Sequence, residues 1–240
     1  MTSRRTAAAH VFADDLDVPI LTEEDQHHLG RVLRLRVGEI ISVSNGAGSW
    51  RLFSVASADL ELSPIADVKQ VEPPQVSTAV AFSLTKGERP ELVVQKLTEL
   101  GIDHIIPVIT ERTIVRWDTS KMERNHDRLV KVVREAAMQS RAVFLPRLHL
   151  PVRGLGELLS LMAELGMKDG LALAEPDGEP MSSDISSIIV GPEGGFTADE
   201  CAQIPRHVAL PGGILRAETA AIAAGVLLAH QRSAIHGYES

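Results

Sequence analysis

At 240 residues, 44% of them apolar, the chain has the length for one large or two modest cored domains, and its composition excludes a disordered protein. A net charge of −8 argues against a protein that coats nucleic acid indiscriminately, and a single cysteine, Cys201, excludes an internal disulfide and any cysteine-rich zinc site. The most continuous apolar stretch, Thr219 to Ala229, is about half the length of a membrane helix. His10 and Asp14 interrupt the N-terminus before a secretory apolar region develops. A cytoplasmic chain is therefore expected, with no membrane contact. No His-Glu-x-x-His spacing occurs, so no metal is expected either.

The charge is unevenly spread. Residues 1–72 hold seven Lys or Arg against eleven Asp or Glu, residues 82–147 twelve against nine, and residues 148–240 five against twelve. The middle is the expected place for a polyanion. Within the first part, "HHLGRVLRLRVGE" at 27–39 gathers Arg31, Arg34 and Arg36 into a basic island, which reads either as a solvated face or as a phosphate contact. The segment "EIISVSNGAGSWRLFSVASADLELS" that follows is rich in β-branched and alternating residues, with Asn45-Gly46 as a hairpin turn, and predicts a small β-barrel. Pro73 and Pro74 can neither continue a helix nor pair inside a sheet, so "VEPPQ" predicts a linker and a division into domains 1–72 and 73–240.

Beyond the linker the pattern alternates. "STAVAFSLT" and "HIIPVIT" predict strands, and between them "PELVVQKLTELG" predicts a helix bracketed by Pro90 and Gly101. A long amphipathic helix is expected from Lys121 to Arg141, then a helix around "GELLSLMAELG" and strands at "GLALAE", "SSIIVG" and "HVALPG". A closing helix is expected from Thr219. Such alternation places helices on both faces of a mostly parallel sheet.

Two strand ends carry glycine turns. In "IIVGPEGGFTADE" at 188–200, Thr197 and Glu200 have the spacing of a capping box and Phe196 that of a staple, so a helix starts just after Gly195. "ALPGGILRAETAA" at 209–221 is the second. Turns at the C-terminal ends of parallel strands are where open α/β sheets bind ligands. Neither a phosphate-binding loop nor a dinucleotide fingerprint is present, and Glu193 would repel a pyrophosphate, so a neutral or cationic ligand is expected.

These two turns, together with "KGERPELVVQKLTELGI" at 86–102 and the 27–39 island, resemble the small-subunit ribosomal RNA uridine-N3 methyltransferases, the RsmE family of the SPOUT superfamily. The resemblance runs through both expected domains in order. It implies an N-terminal PUA-like β-barrel for RNA and a C-terminal α/β domain tied in a trefoil knot that holds S-adenosylmethionine, in a homodimer. The partner so implied is 16S ribosomal RNA, within the small ribosomal subunit. Carried onto this chain, the cofactor contacts fall on Leu173, Val190, Gly191, Pro192, Glu193, Gly194, Leu210, Gly213, Leu215, Arg216, Ala217 and Thr219. Arg216, Glu218 and Glu193 are the catalytic candidates, because deprotonating a uridine imide needs a base or a cationic donor. A salt bridge to Glu218 is the structural alternative for Arg216. RNA contacts fall on Arg31, Arg34, Arg36, Lys86, Arg89, Gln139 and Arg141. The family reads Gln-[Ser/Cys]-Gly-Arg where this chain has Gln139-Ser140-Arg141-Ala142, so its arginine is displaced by one residue. The competing readings are a trefoil-knot methyltransferase with another RNA target, and a ribosome-assembly factor that binds RNA without chemistry.

Overall fold

The computed structural model describes residues 3–87, 89–115 and 117–236, so Glu88 of the 86–102 motif lies outside the described residues. The chain forms two compact units, one running to Pro74 with Arg134–Leu145 added, the other made of Gln75–Val133 and the chain from Pro146 onward.

The first unit is built on strands β1 (Ala9–Phe12), β2 (Ile40–Ser44), β3 (Ser49–Val55), β4 (Leu62–Pro64) and β5 (Lys69–Gln70), with helix α1 (Glu23–His27) between β1 and β2. The sheet order is β1-β2-β3-β4, with β5 also on β3; β1 and β2 run parallel and the remaining pairs antiparallel. Asn45 makes the β2–β3 turn, its side-chain oxygen accepting from the N–H groups of Ala47 at 2.9 Å and Ser49 at 3.1 Å. Val11, Leu29, Ile41, Val43, Phe53 and Val55 fill the core. The alternation in β2 does not leave its polar residues wet. Ser42 and Ser44 are buried, Ser42 against His10 at 2.8 Å and Ser44 donating to the carbonyls of Ser49 and Val143. Residues 134–145 supply that cover, and Met138 packs on the core from there.

The second unit contains β6 (Ala79–Ser83), α2 (Arg89–Glu99), β7 (His104–Ile109), the start of α3 (Thr119–Ser140), β8 (Arg147–Leu148), β9 (Val152–Arg153), α4 (Gly154–Glu164), β10 (Leu171–Glu179), β11 (Ser187–Val190), α5 (Ala198–Gln203), β12 (His207–Val208) and α6 (Ala217–His236). Its sheet runs β12-β10-β11-β6-β7-β8, with β9 also on β7, and every pairing is parallel. Both faces are covered, which is why β6 and β11 are buried along their whole length. Val80 and Phe82 point into one apolar layer with Val93, Leu97 and Leu228; Ala79 and Ala81 point into the other with Leu158, Met162 and Phe196. The α/β class and both ligand-side turns lie where the sequence placed them, and α6 begins two residues before the expected Thr219. The long helix ends in a six-to-one turn: Ala142 N–H reaches Ala137 O at 2.9 Å and Arg141 N–H reaches Met138 O at 3.2 Å. That turn needs a left-handed residue, and Arg141 supplies it with φ 57°.

Candidate functional site

A cleft of about 170 Å³ opens at the C-terminal ends of β10, β11 and β12. Three segments wall it, and each is shaped by a local feature of the sequence. After β11, Gly195 N–H closes on Pro192 O at 2.8 Å and Gly195 takes φ 68°, so the chain turns sharply before the capping box of Thr197 and Glu200 starts α5. After β12, residues 210–215 lead into α6. The third segment lies inside β10, whose register against β12 breaks between Ala174 and Glu179. This bulge throws Glu175 and Pro176 into the cleft. The ladder resumes at Glu179, whose carbonyl accepts from Ala209 N–H at 2.9 Å, and it does so across Gly178, where a Cβ would stand 2.5 Å from the Val208 carbonyl carbon.

Of the expected cofactor residues, Val190, Gly191, Pro192, Glu193, Leu210, Gly213, Leu215 and Ala217 line the cleft. Leu173 is fully buried in the sheet core instead. Gly194, Arg216 and Thr219 are exposed and stand outside the lining. Glu175 and Pro176 line it as well, just past the "LALAE" strand end that the family resemblance implies as a third cofactor loop, and so do Gly195, Phe196, Ile214 and Ala220. Ile214, 95% exposed, forms the lip.

The charged groups form a linked set. Arg89 reaches Glu193 at 3.0 Å and Glu218 at 3.6 Å, so Glu218 pairs with Arg89 and not with Arg216. Both members of the Arg89–Glu193 pair are substantially exposed, and the pair orients the loop more than it stabilises the fold. The second carboxylate oxygen of Glu218, Oε2, is buried with no hydrogen-bond partner. Such an atom is costly unless a ligand or water satisfies it. Arg216 is exposed and makes no ion pair among the described residues.

The Pro192–Gly195 turn is also held from the far side. Arg112 Nη1 donates to the carbonyls of Gly194 at 2.8 Å and Phe196 at 3.1 Å. Glu200, 2% exposed, accepts from Glu111 N–H at 3.0 Å and Thr197 N–H at 2.9 Å. Beneath them Thr113 joins Ser83 at 2.7 Å and Thr110 at 2.9 Å through buried hydroxyls. Nothing in the sequence pattern announced this clamp. The site thus presents apolar walls, exposed backbone at glycines, and carboxylates at the rim, a donor set suited to a flat heterocycle carrying positive charge.

The other expected residues divide between the units. Lys86, exposed, and Arg89 lie in the second. Arg31, Arg34, Arg36, Gln139 and Arg141 lie in the first. Arg31, Arg34 and Arg36 are exposed on and after a π-helical turn, His28–Val32, and Arg34 adopts φ 54°. π-turns are rare and recur at functional sites.

The chain is similar to known proteins. Residues 72–229 match the model of an RNA methyltransferase domain, and residues 21–62 that of an RNA methyltransferase PUA domain. Ribosomal RNA small subunit methyltransferase E of Rickettsia conorii is 30% identical, over 89% of this chain and 89% of its own length. The Bacillus subtilis protein of the same name is 28% identical over 90% and 91%. A crystal structure of a ribosomal RNA small subunit methyltransferase E from Neisseria gonorrhoeae bound to S-adenosyl methionine superposes with a TM-score of 0.75, at 26% identity, over 92% of this chain and 96% of that one.

Proposed function

Because the chain belongs to the ribosomal RNA small subunit methyltransferase E family, we propose that it transfers a methyl group from S-adenosylmethionine to N3 of one uridine in 16S ribosomal RNA. The trefoil knot, the homodimer and the cytoplasmic setting within ribosome assembly belong to the same proposal. The observation that carries it is the cleft itself: two glycine turns and a bulged strand meet around apolar walls, with Glu175 and Glu193 at the lining and Glu218 Oε2 buried and unpartnered beside Arg89. That set fits a cofactor with a flat base and a sulfonium centre.

Val190, Leu210, Leu215 and Ala217 would pack against the base, and the backbone around Gly191, Gly195 and Gly213 would face its polar edges. Glu175 and Glu193 complement its positive charge. When bound, S-adenosylmethionine supplies an electrophilic methyl group and leaves as a neutral thioether. The chain's own work is to exclude water, orient the uridine and manage one proton. Glu218 Oε2, with no partner of its own, accepts the imide proton, and Arg216, free of ion pairs among the described residues, meets the negative charge that spreads over the uridine carbonyls. Arg31, Arg34 and Arg36 contact phosphates.

Nucleoside analysis of 16S ribosomal RNA from cells with and without the gene tests the reading. Loss of one 3-methyluridine, restored by the purified protein with labelled S-adenosylmethionine, is expected. Unchanged 3-methyluridine together with transfer to another position would overturn the uridine-N3 target. A folded protein showing no calorimetric binding of S-adenosylmethionine would overturn the enzyme reading altogether.

A further inference from the structure

Residues 1–72 contain seven cations in an acidic surrounding, and their disposition is not random. Arg51 pairs with Asp17 at 2.7 Å. Arg31, Arg34 and Arg36 form the island. The remaining three are Arg4, Arg5 and Lys69. The guanidinium carbon of Arg4 lies 5.8 Å, and Lys69 Nζ 5.2 Å, from the centroid of the Trp50 ring. Arg5 adjoins Arg4 in the 3-10 turn Arg4–Thr6. A fourth cation arrives from the end of α3: Arg141 Nη1 donates to the Arg4 carbonyl at 2.9 Å. No carboxylate comes within ion-pair distance of any of the four among the described residues.

Two features show that this gathering is maintained against a cost. Arg141 holds φ 57°, a conformation that a side chain disfavours and that glycine would occupy freely at this helix end. Burial, with Arg5 and Arg141 close by, holds the Arg4 guanidinium below its ordinary pKa, so like charges crowd here without relief. Meanwhile the Trp50 ring fixes two of the cations by its face, which reduces the side-chain entropy lost when an anion binds. A chain of net charge −8 that holds two cations on one indole and two more beside Arg4, none of them in an ion pair among the described residues, has built a surface for successive negative charges.

We propose that Arg4 and Lys69 on the Trp50 ring, with Arg5 and Arg141 beside Arg4, form a phosphate-backbone contact for the RNA substrate in addition to the 31–36 island. The proposal rests on the reading of the protein as an RNA methyltransferase. The bonds are to phosphate, so the contact positions the RNA and carries no sequence preference.

The test measures binding of the full chain to 16S ribosomal RNA transcribed in vitro, across a series of salt concentrations. The Arg4→Ala/Arg5→Ala/Lys69→Ala variant should weaken binding on the order of 100-fold near 0.1 M salt and lower the slope of log K against log salt by about 2 to 3. Arg141→Gly should lower the slope by about 1 while leaving the Tm equal to or above that of the wild type, a combination that damage to the fold cannot produce. Calorimetric affinity for S-adenosylmethionine should be unchanged in both. An unchanged slope in the triple variant and in Arg141→Gly overturns the site, and so does an equal loss from Lys121→Ala/Arg124→Ala, which would mean diffuse attraction. A wild-type protein that binds S-adenosylmethionine but no RNA defeats the proposed RNA substrate itself, a distinct result.

Discussion

Arg216 and Glu218 are two residues apart at the start of α6, and a bridge between them is the simplest use for either. The structure separates them: Arg89 takes Glu218 at 3.6 Å, and Arg216 is left exposed with no ion pair among the described residues. No ion pair among the described residues occupies the Arg216 charge, which is what the proposed role in meeting the uridine anion requires. Arg216→Ala is therefore expected to lower the single-turnover methylation rate on the order of 100-fold, with little change in Tm or in S-adenosylmethionine Kd. Raising the pH should restore part of the rate, since solvent then helps to ionise the imide. A loss expressed in cofactor affinity or thermal stability, with no rescue by pH, would assign Arg216 to the fold.

At the scale of elements, the glycine turn after β11 owes its shape to groups far away in the chain. Its capping box was legible, because Thr197 and Glu200 lie three residues apart and helix starts follow local rules. Arg112 was not legible: it sits 82 residues before Gly194, and no periodicity links a turn after β7 to a turn after β11. The same division runs through the molecule. The parallel sheet, the long helix and both ligand-side turns follow from apolar period and punctuation. The inward Ser42 and Ser44, the β10 bulge and the transfer of residues 134–145 to the first unit depend on long-range packing. Leu173 shows the limit from the other side, since a strand residue next to a ligand loop belongs to the core when its side chain faces away. Because Arg112 is exposed and, among the described residues, bonds only to the Gly194 and Phe196 carbonyls, Arg112→Ala should raise S-adenosylmethionine Kd about 10-fold with almost no fall in Tm. Arg112→Lys should rescue part of it, because both carbonyls accept from the one nitrogen Nη1 and an ammonium that reaches the same place carries enough N–H groups to serve both. Equal cofactor affinity in wild type and Arg112→Ala would show that the turn holds its shape unaided.

Across the whole molecule, acid sensitivity should come from histidines buried in the neutral form. His10, in the first unit, is held between Ser42 Oγ and the Ala142 carbonyl, each at 2.8 Å; the carbonyl can only accept, so Nε2 carries the proton and Nδ1 accepts from Ser42. Burial depresses its pKa to about 4, and Arg4 and Arg141 add to the effect. In the second unit His149 Nε2 meets His104 Nδ1 at 3.0 Å, a contact with room for one proton. Burial, then the neighbouring His104, brings His149 to about 4, and burial lowers His104 as well. Each of these pKa values lies below that of a histidine in the unfolded chain, so the unfolded state takes up more protons as the pH falls. Stability is therefore complete above about pH 6.5 and declines from there towards pH 4. Asp15, Asp118 and Asp184, whose pKa values are also lowered, act in a different window, since their contribution persists until the pH drops below that of an unfolded aspartate. Thermal melts between pH 7.5 and 4.5 should show the Tm falling mainly below 6.5, by an amount that reflects up to about 3 kcal/mol for His10 and less for His149, which shares its contact with His104. His10→Gln and His149→Gln should each lower the Tm at neutral pH and flatten the decline on acidification. A wild-type Tm that stays level down to pH 4.5 would mean that these rings charge without cost and that their burial is relieved by solvent.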